Sequence, residues 1–279
     1  MKVVKEVFEV REFTRQNRKK TVGFVPTMGY LHQGHLALVE QAREENELVV
    51  LSIFVNPTQF GPNEDYEDYP RDLERDLELA RSGGVDLVFI PEADKMYAAN
   101  AATKVEVTGL TDKLCGASRA GHFSGVCTVV SKLFNIVSPT RAYFGQKDYQ
   151  QVLVIKRMVE DLNFDLEIVT VPIIREEDGL AISSRNKYLN QAEREAALVL
   201  FNSLQRAKEL IDGGERDVKV IEEELNKKVE VEPLAEIDYL AVVDANNLEK
   251  IDQITSRVLI ALAVYIGETR LIDNLVVEV

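Results

Sequence analysis

From residue 22 to about residue 180, apolar runs of strand length alternate with helix-length stretches in a regular order. Strands in such an order are joined by helical crossovers, which confines the chain to βαβ units and a parallel sheet. The reading places strands at 22–26, 48–55, 86–90, 142–144 and 166–171, and helices at 36–45, 71–82, 126–137 and 149–162. Gly83-Gly84 stops the second of these helices. After Tyr188 the pattern changes to two expected helices. The first carries Ala197, Leu200, Phe201, Leu204, Ala207 and Ile211 at a 3.6-residue period and ends at Gly213-Gly214. Strand-like runs at 237–243, 257–266 and 271–279 complete an α+β segment. The length of 279 residues suits two domains, and the change of pattern sets them at 1–180 and 181–279.

Charge narrows the partners. Against 33 Lys and Arg stand 47 Asp and Glu, a net charge of −14, so a polyanion lying along the surface is repelled and nucleic-acid binding is not expected. A small anion held by a few local cations and backbone N–H groups is still compatible with that background. Cys115 and Cys127 are too few for a disulfide framework and have no zinc-like spacing around them. The opening Met-Lys-Val-Val-Lys-Glu-Val has no apolar signal core. The longest apolar run, Val258–Ile266, is half of the roughly 18 residues a membrane span needs. The chain is read as cytoplasmic, with no membrane partner.

The chemistry concentrates where the first expected strand ends. Pro26-Thr27-Met28-Gly29-Tyr30-Leu31-His32-Gln33-Gly34-His35 runs from that strand through a glycine-bearing turn into a helix, and it holds two of the chain's three histidines. A turn of this kind aims backbone N–H groups and the positive helix end at one point, which suits a phosphate. Imidazoles there can donate to charge that develops during phosphoryl or nucleotidyl transfer. A metal reading of the same pair lacks a third ligand close in sequence, and a plain solvated turn is the bland alternative.

Three further segments sit at predicted strand ends or in loops. Phe144-Gly145-Gln146-Lys147-Asp148 offers Lys147 as a phosphate cation, while Asp148 and Gln151 have the spacing of a helix capping box. Asp178 to Asn186 carries Ile182, Ser183, Ser184 and Arg185, a donor set suited to triphosphate oxygens or to a solvated loop. Phe54 to Phe60 offers the amides of Asn56 and Gln59 beside a Pro turn. Asp76, beyond the acidic run 64–68, is a candidate magnesium-facing carboxylate.

Taken together these blocks resemble the pantothenate synthetase (pantoate–β-alanine ligase) family of the HIGH-motif nucleotidyltransferase superfamily. The resemblance covers nearly the whole chain. Besides the turn with His32-Gln33-Gly34-His35, it rests on Phe-Val-Asn-Pro-x-Gln-Phe at 54–60, Tyr-Pro-Arg at 69–71 and Gly-His-Phe at 121–123. Tyr-Phe-Gly-Gln-Lys-Asp-Tyr-Gln-Gln at 143–151 and Asp-Gly-Leu-Ala-Ile-Ser-Ser-Arg-Asn at 178–186 complete it.

The resemblance implies a Rossmann-like parallel sheet with helices on both faces and a smaller C-terminal α+β domain that lids the ATP site. It implies ATP-dependent condensation of pantoate with β-alanine through a pantoyl adenylate, releasing pyrophosphate and then AMP. Met28 to His35, with Gly145, Gln146, Lys147, Asp148, Ile174, Ile182, Ser183, Ser184 and Arg185, would hold ATP. His32, His35, Lys147 and Arg185 would be catalytic, with His35 the proton donor. Gln59, Gln151 and Asn56 would bind pantoate, Gln59 also β-alanine, and Asp76 magnesium. A homodimer is implied as well. Ser124 and Ile182 stand where the family often has Arg and Met, and Gln146 where Glu is frequent. Rival readings are another HIGH-motif adenylyltransferase or a catalytically silent ATP-binding protein.

Overall fold

A computed structural model describes residues 1–62 and 64–279. In chain order the elements are β1 (Lys2–Val4), α1 (Val7–Gln16), β2 (Val22–Thr27), α2 (Gln33–Glu45), β3 (Leu48–Ile53), α3 (Leu73–Ser82) and β4 (Leu87–Phe89). Next come α4 (Ala93–Met96), α5 (Leu114–Ser118), α6 (His122–Val137), β5 (Arg141–Gly145), α7 (Tyr149–Asp161) and β6 (Glu167–Val171). The C-terminal part holds α8 (Gln191–Ala196), α9 (Leu198–Asp212), α10 (Val218–Glu230), β7 (Ala235–Asp244), β8 (Val258–Ile266) and β9 (Thr269–Val277).

The first six strands form one parallel sheet in the order β1-β4-β3-β2-β5-β6. Every residue of β3 is buried, as expected of a strand covered on both faces. Neighbouring residues of β2 enter different cores. Phe24 packs with Val10, Val50, Leu133 and Ile155, and Val25 packs with Val39, Ala42, Leu51 and Ala80. Helices therefore cover both faces, as the alternating pattern required. The chain leaves β2 toward β3 on one side, and β5 pairs on the other. The crevice between the carboxyl ends of β2 and β5 is thus a switch point of the sheet, where ligands of open α/β folds gather.

The second sheet is antiparallel, β7-β8-β9, and packs with α9 and α10 in a core that includes Leu200, Leu225, Ile260 and Val264. The apolar run Val258–Ile266 is its central strand, and no described helix is long and apolar enough to cross a membrane.

Several expectations need correction. β1 went unread because a three-residue edge strand carries too little periodicity to register, and the ten-residue helix α1 was also not read. α2 starts at Gln33 rather than at 36, since His32, with extended φ −141°, is its cap residue. α6 starts at His122 rather than at 126. Beyond Tyr188 there are three helices, because the expected first helix is divided at Ala197 into α8 and α9.

Candidate active site

The turn after β2 is held by side chains that bond its backbone. Thr27 Oγ1 donates to the Ser52 carbonyl at 2.8 Å and accepts the Gly29 N–H at 3.1 Å. Gly29 has φ +87°, and Tyr30 follows at φ 49°. Asp76, reaching over from α3, accepts the N–H groups of Tyr30 and Leu31 at 2.7 and 2.6 Å. The turn thereby delivers His32 to the start of α2 and His35 to its first turn, where the helix dipole is positive.

The two imidazoles are stacked, with ring centroids 3.9 Å apart. The His32 N–H points to His35 Nδ1 at 3.3 Å, so a neutral His35 carries its proton on Nε2. Burial, then the Lys147 charge, lowers the His32 pKa to about 4. Burial, then His32, holds His35 well below the ordinary range. Both rings are accordingly neutral hydrogen-bond donors at pH 7. Among the described residues His32 Nδ1 is buried without a partner.

A cavity of about 240 Å³ opens at this point. Of the ATP residues implied by the resemblance, Met28, His32, Gly34, His35, Gly145, Lys147, Asp148, Ile174, Ile182, Ser183, Ser184 and Arg185 line it. The other five do not. Gly29 and Leu31 are buried in the turn, Tyr30 lies under Arg75 and Lys187, Gln33 is exposed, and Gln146 points its amide at Asn274, 3.4 Å away. Gln59 and Gln151 also line the cavity.

Two side chains have other work than expected. Asn56 lines the cavity, but its Nδ2 donates to Gln59 Oε1 and the Gly125 carbonyl, and its Oδ1 accepts from Thr58 and Tyr97. Its amide is thus engaged within the protein and orients Gln59. Asp76 is not part of the cavity wall, and each of its carboxylate oxygens accepts one backbone N–H of the turn. Among the described residues there is no group of three or more His, Cys, Asp or Glu that could hold a metal ion by itself; a magnesium ion bound with a triphosphate takes most of its ligands from phosphate oxygens and water. The capping box expected of Asp148 and Gln151 is also absent, for the start of α7 has no side-chain cap. Both side chains are left facing the cavity.

Arg119 and His122 also line the cavity and carried no role in the sequence reading. His122 Nδ1 lies 2.8 Å from the Gln59 carbonyl and donates to it, so Nε2 accepts from Arg119 Nη1 at 3.1 Å. Arg119 grips Glu64 through Nε and Nη2 at 2.7 and 2.6 Å. Their signal was the Gly-His-Phe block, which marked His122 without saying what it touches. Arg185 is paired with Asp65 at 3.1 and 2.8 Å. Lys147, Arg119 and Arg185 thus face a cavity whose described lining has one carboxylate, Asp148.

The family model described as pantoate-beta-alanine ligase matches residues 2–276. The chain belongs to the pantoate–β-alanine ligase family. Pantothenate synthetases of Thermosipho africanus and Moorella thermoacetica are each 57% identical to it, over 99% and 100% of this chain and 100% and 99% of theirs. The crystal structure of the Thermus thermophilus pantothenate synthetase superimposes with a TM-score of 0.95 at 50% identity, covering 99% of both chains. The ligase of Francisella tularensis, solved with β-γ ATP and β-alanine, is 35% identical with a TM-score of 0.81, over 99% of this chain and 97% of that one. Membership in this ligase family explains why cationic and amide side chains converge on a single crevice.

Proposed function

We propose that the protein condenses pantoate with β-alanine in two steps, the first of which consumes ATP. The pantoate carboxylate attacks the α-phosphorus, the bond to the β-phosphate oxygen breaks, and pyrophosphate leaves. The β-alanine amine, after losing a proton from its ammonium form, then attacks the acyl carbon. AMP departs and pantothenate remains. Neither step needs a covalent bond to the protein, so catalysis rests on alignment and charge stabilisation.

The observation supporting this reading is the single cavity at the sheet's switch point that the stacked His32–His35 pair and Lys147 line together. The two imidazoles donate hydrogen bonds to the α-phosphate oxygens in the transition state. His35 does so as a neutral Nε2–H, which refines the proton-donor role to hydrogen-bond donation. Lys147, Ser183, Ser184 and Arg185 hold the leaving pyrophosphate, and Gln59 and Gln151 align pantoate. Magnesium enters with the triphosphate, ligated mainly by phosphate oxygens and water. Residues 181–279 act as a domain over the nucleotide, and the enzyme works as a cytoplasmic homodimer.

Incubation with ATP, pantoate and labelled β-alanine tests the reading, with pantothenate and AMP expected in equal amounts. Absence of a β-alanine-dependent product would sink it, and adenylate without amide would favour an adenylyltransferase. Replacing His35 or Lys147 by Ala should lower turnover about a hundredfold or more.

A further inference from the structure

Two adjacent polar residues of β9, Asp273 and Asn274, are each 3% exposed in a strand whose neighbours are otherwise mostly apolar. Successive strand residues point to opposite faces, so a buried polar pair must find two different sets of partners. Asn274 Nδ2 donates to the carbonyls of Gln146 and Lys147 at 3.0 and 2.9 Å. Asp273 receives Arg175 through two parallel hydrogen bonds, at 2.6 and 2.9 Å, and its Oδ1 also accepts the Asn274 N–H at 2.8 Å.

Arg175 continues the chain of contacts. Its Nη1 donates to the Gly179 carbonyl at 3.0 Å, and its backbone bridges to Ala181. The Ile182 N–H donates to the Ile174 carbonyl at 3.0 Å, closing the hairpin that leads into Ser183, Ser184 and Arg185. One dipeptide of the C-terminal sheet therefore holds the backbone of Lys147 and the base of the Ser183–Arg185 segment together. These are the two segments assigned above to the pyrophosphate end of ATP.

We propose that Asp273 and Asn274 are positioning residues that fix the separation of Lys147 from the Ser183–Arg185 segment, and so the grip on the triphosphate. Neither residue acts on the reacting atoms. The inference rests on the reading of those segments as the phosphate grip. A bidentate, nearly buried Arg–carboxylate pair and a buried amide with its donors engaged are costly to disrupt, which gives the link its stiffness.

The test uses the full-length enzyme with Asn274→Ala, Asn274→Asp and Arg175→Met. Asn274→Asp keeps the shape but sets a carboxylate against two carbonyls. Each variant should weaken equilibrium ATP binding and lower kcat/KM for ATP in pantoate-dependent ATP–pyrophosphate exchange by about tenfold or more. KM for β-alanine should change little, and the thermal midpoint should fall while the variants stay folded at the assay temperature. Arg175→Met acts from the partly exposed end of the link, so it reads the same coupling if a change at Asn274 prevents folding. Wild-type ATP binding and exchange in a folded variant would overturn the proposal, as would equal losses for all three substrates. Direct ATP binding separates this outcome from a wrong acceptor assignment, which would show instead as a wild-type enzyme that makes no pantothenate.

Discussion

Asp76 holds Tyr30 in a left-handed backbone conformation, its Oδ2 accepting the Tyr30 N–H at 2.7 Å where φ is 49°. An L-residue in that region is strained and persists only when its surroundings impose it. Asp76→Ala would leave two backbone donors without their acceptor, at a cost of about 1–3 kcal/mol each if they stay buried. The expected result is a lower thermal midpoint and a KM for ATP raised about tenfold. The magnesium concentration giving half-maximal activity should not move. A shift confined to the magnesium requirement would instead make Asp76 a metal ligand first and a support of the turn second.

Gly125 on α6 is where the helix meets the loop that presents Gln59. A Cβ built there would overlap the Thr58 carbonyl and lie 2.7 Å from Gln59 Cα, backbone atoms that can clear it only if the segment itself shifts. The Gly125 carbonyl also accepts from Asn56, which orients Gln59. Gly125→Ala should therefore displace the 58–59 backbone, raise KM for pantoate by about tenfold, and leave ATP binding close to wild type. Pantoate kinetics checked beside ATP affinity decide it, and unchanged pantoate kinetics would show that the contact yields without moving Gln59.

The difference between Gly29 and Gly125 marks how far the sequence could be read. The turn from Met28 to His35 was legible because its chemistry depends on local spacing, a strand end, a glycine and a helix start within ten residues. The alternating pattern likewise located most of the parallel sheet, because each strand and crossover leaves its own periodicity. What Gly125, Arg119 and His122 do depends on segments some 60 to 70 residues away, and Asn274 meets Gln146 across 128. No local pattern encodes such meetings. The structural part of Asp76 was hidden for the same reason. Its place in the sequence gives no sign that it accepts the N–H groups of Tyr30 and Leu31, some 45 residues away.

Arg185 is held by Asp65 through two hydrogen bonds, and burial of the guanidinium is outweighed by that carboxylate, which raises its pKa. A phosphate drawing Arg185 into the cavity must compete with Asp65. Asp65→Asn keeps the size and removes the competing charge, so KM for ATP should fall a few-fold and the salt dependence of ATP binding should steepen. Steady-state kinetics at two ionic strengths check this. Weaker ATP binding would instead mean that Asp65 holds Arg185 in its working position.

Protonation of the site histidines gives a pH signature of known sign. His32 and His122 have pKa values lowered from 6.5 to about 4, both chiefly by burial, with Lys147 acting next on His32 and Arg119 next on His122. Since the folded values lie below the unfolded ones, the unfolded chain binds more protons between about pH 4 and 6.5. Unfolding free energy therefore rises with pH across that window. The stability held by the neutral rings is complete above pH 6.5 and is lost as the pH falls toward 4. Denaturant titrations should show this fall in the wild type. In His122→Gln, where the amide can still donate to the Gln59 carbonyl, the slope should be smaller by up to about 1.4 kcal/mol per pH unit. ATP brings negative charge against His32 and His35 and favours their protonated forms, so its binding near pH 5.5 should take up protons. Calorimetry in buffers of different ionisation enthalpy measures that uptake. Release of protons instead would mean that the triphosphate does not lie against the two rings.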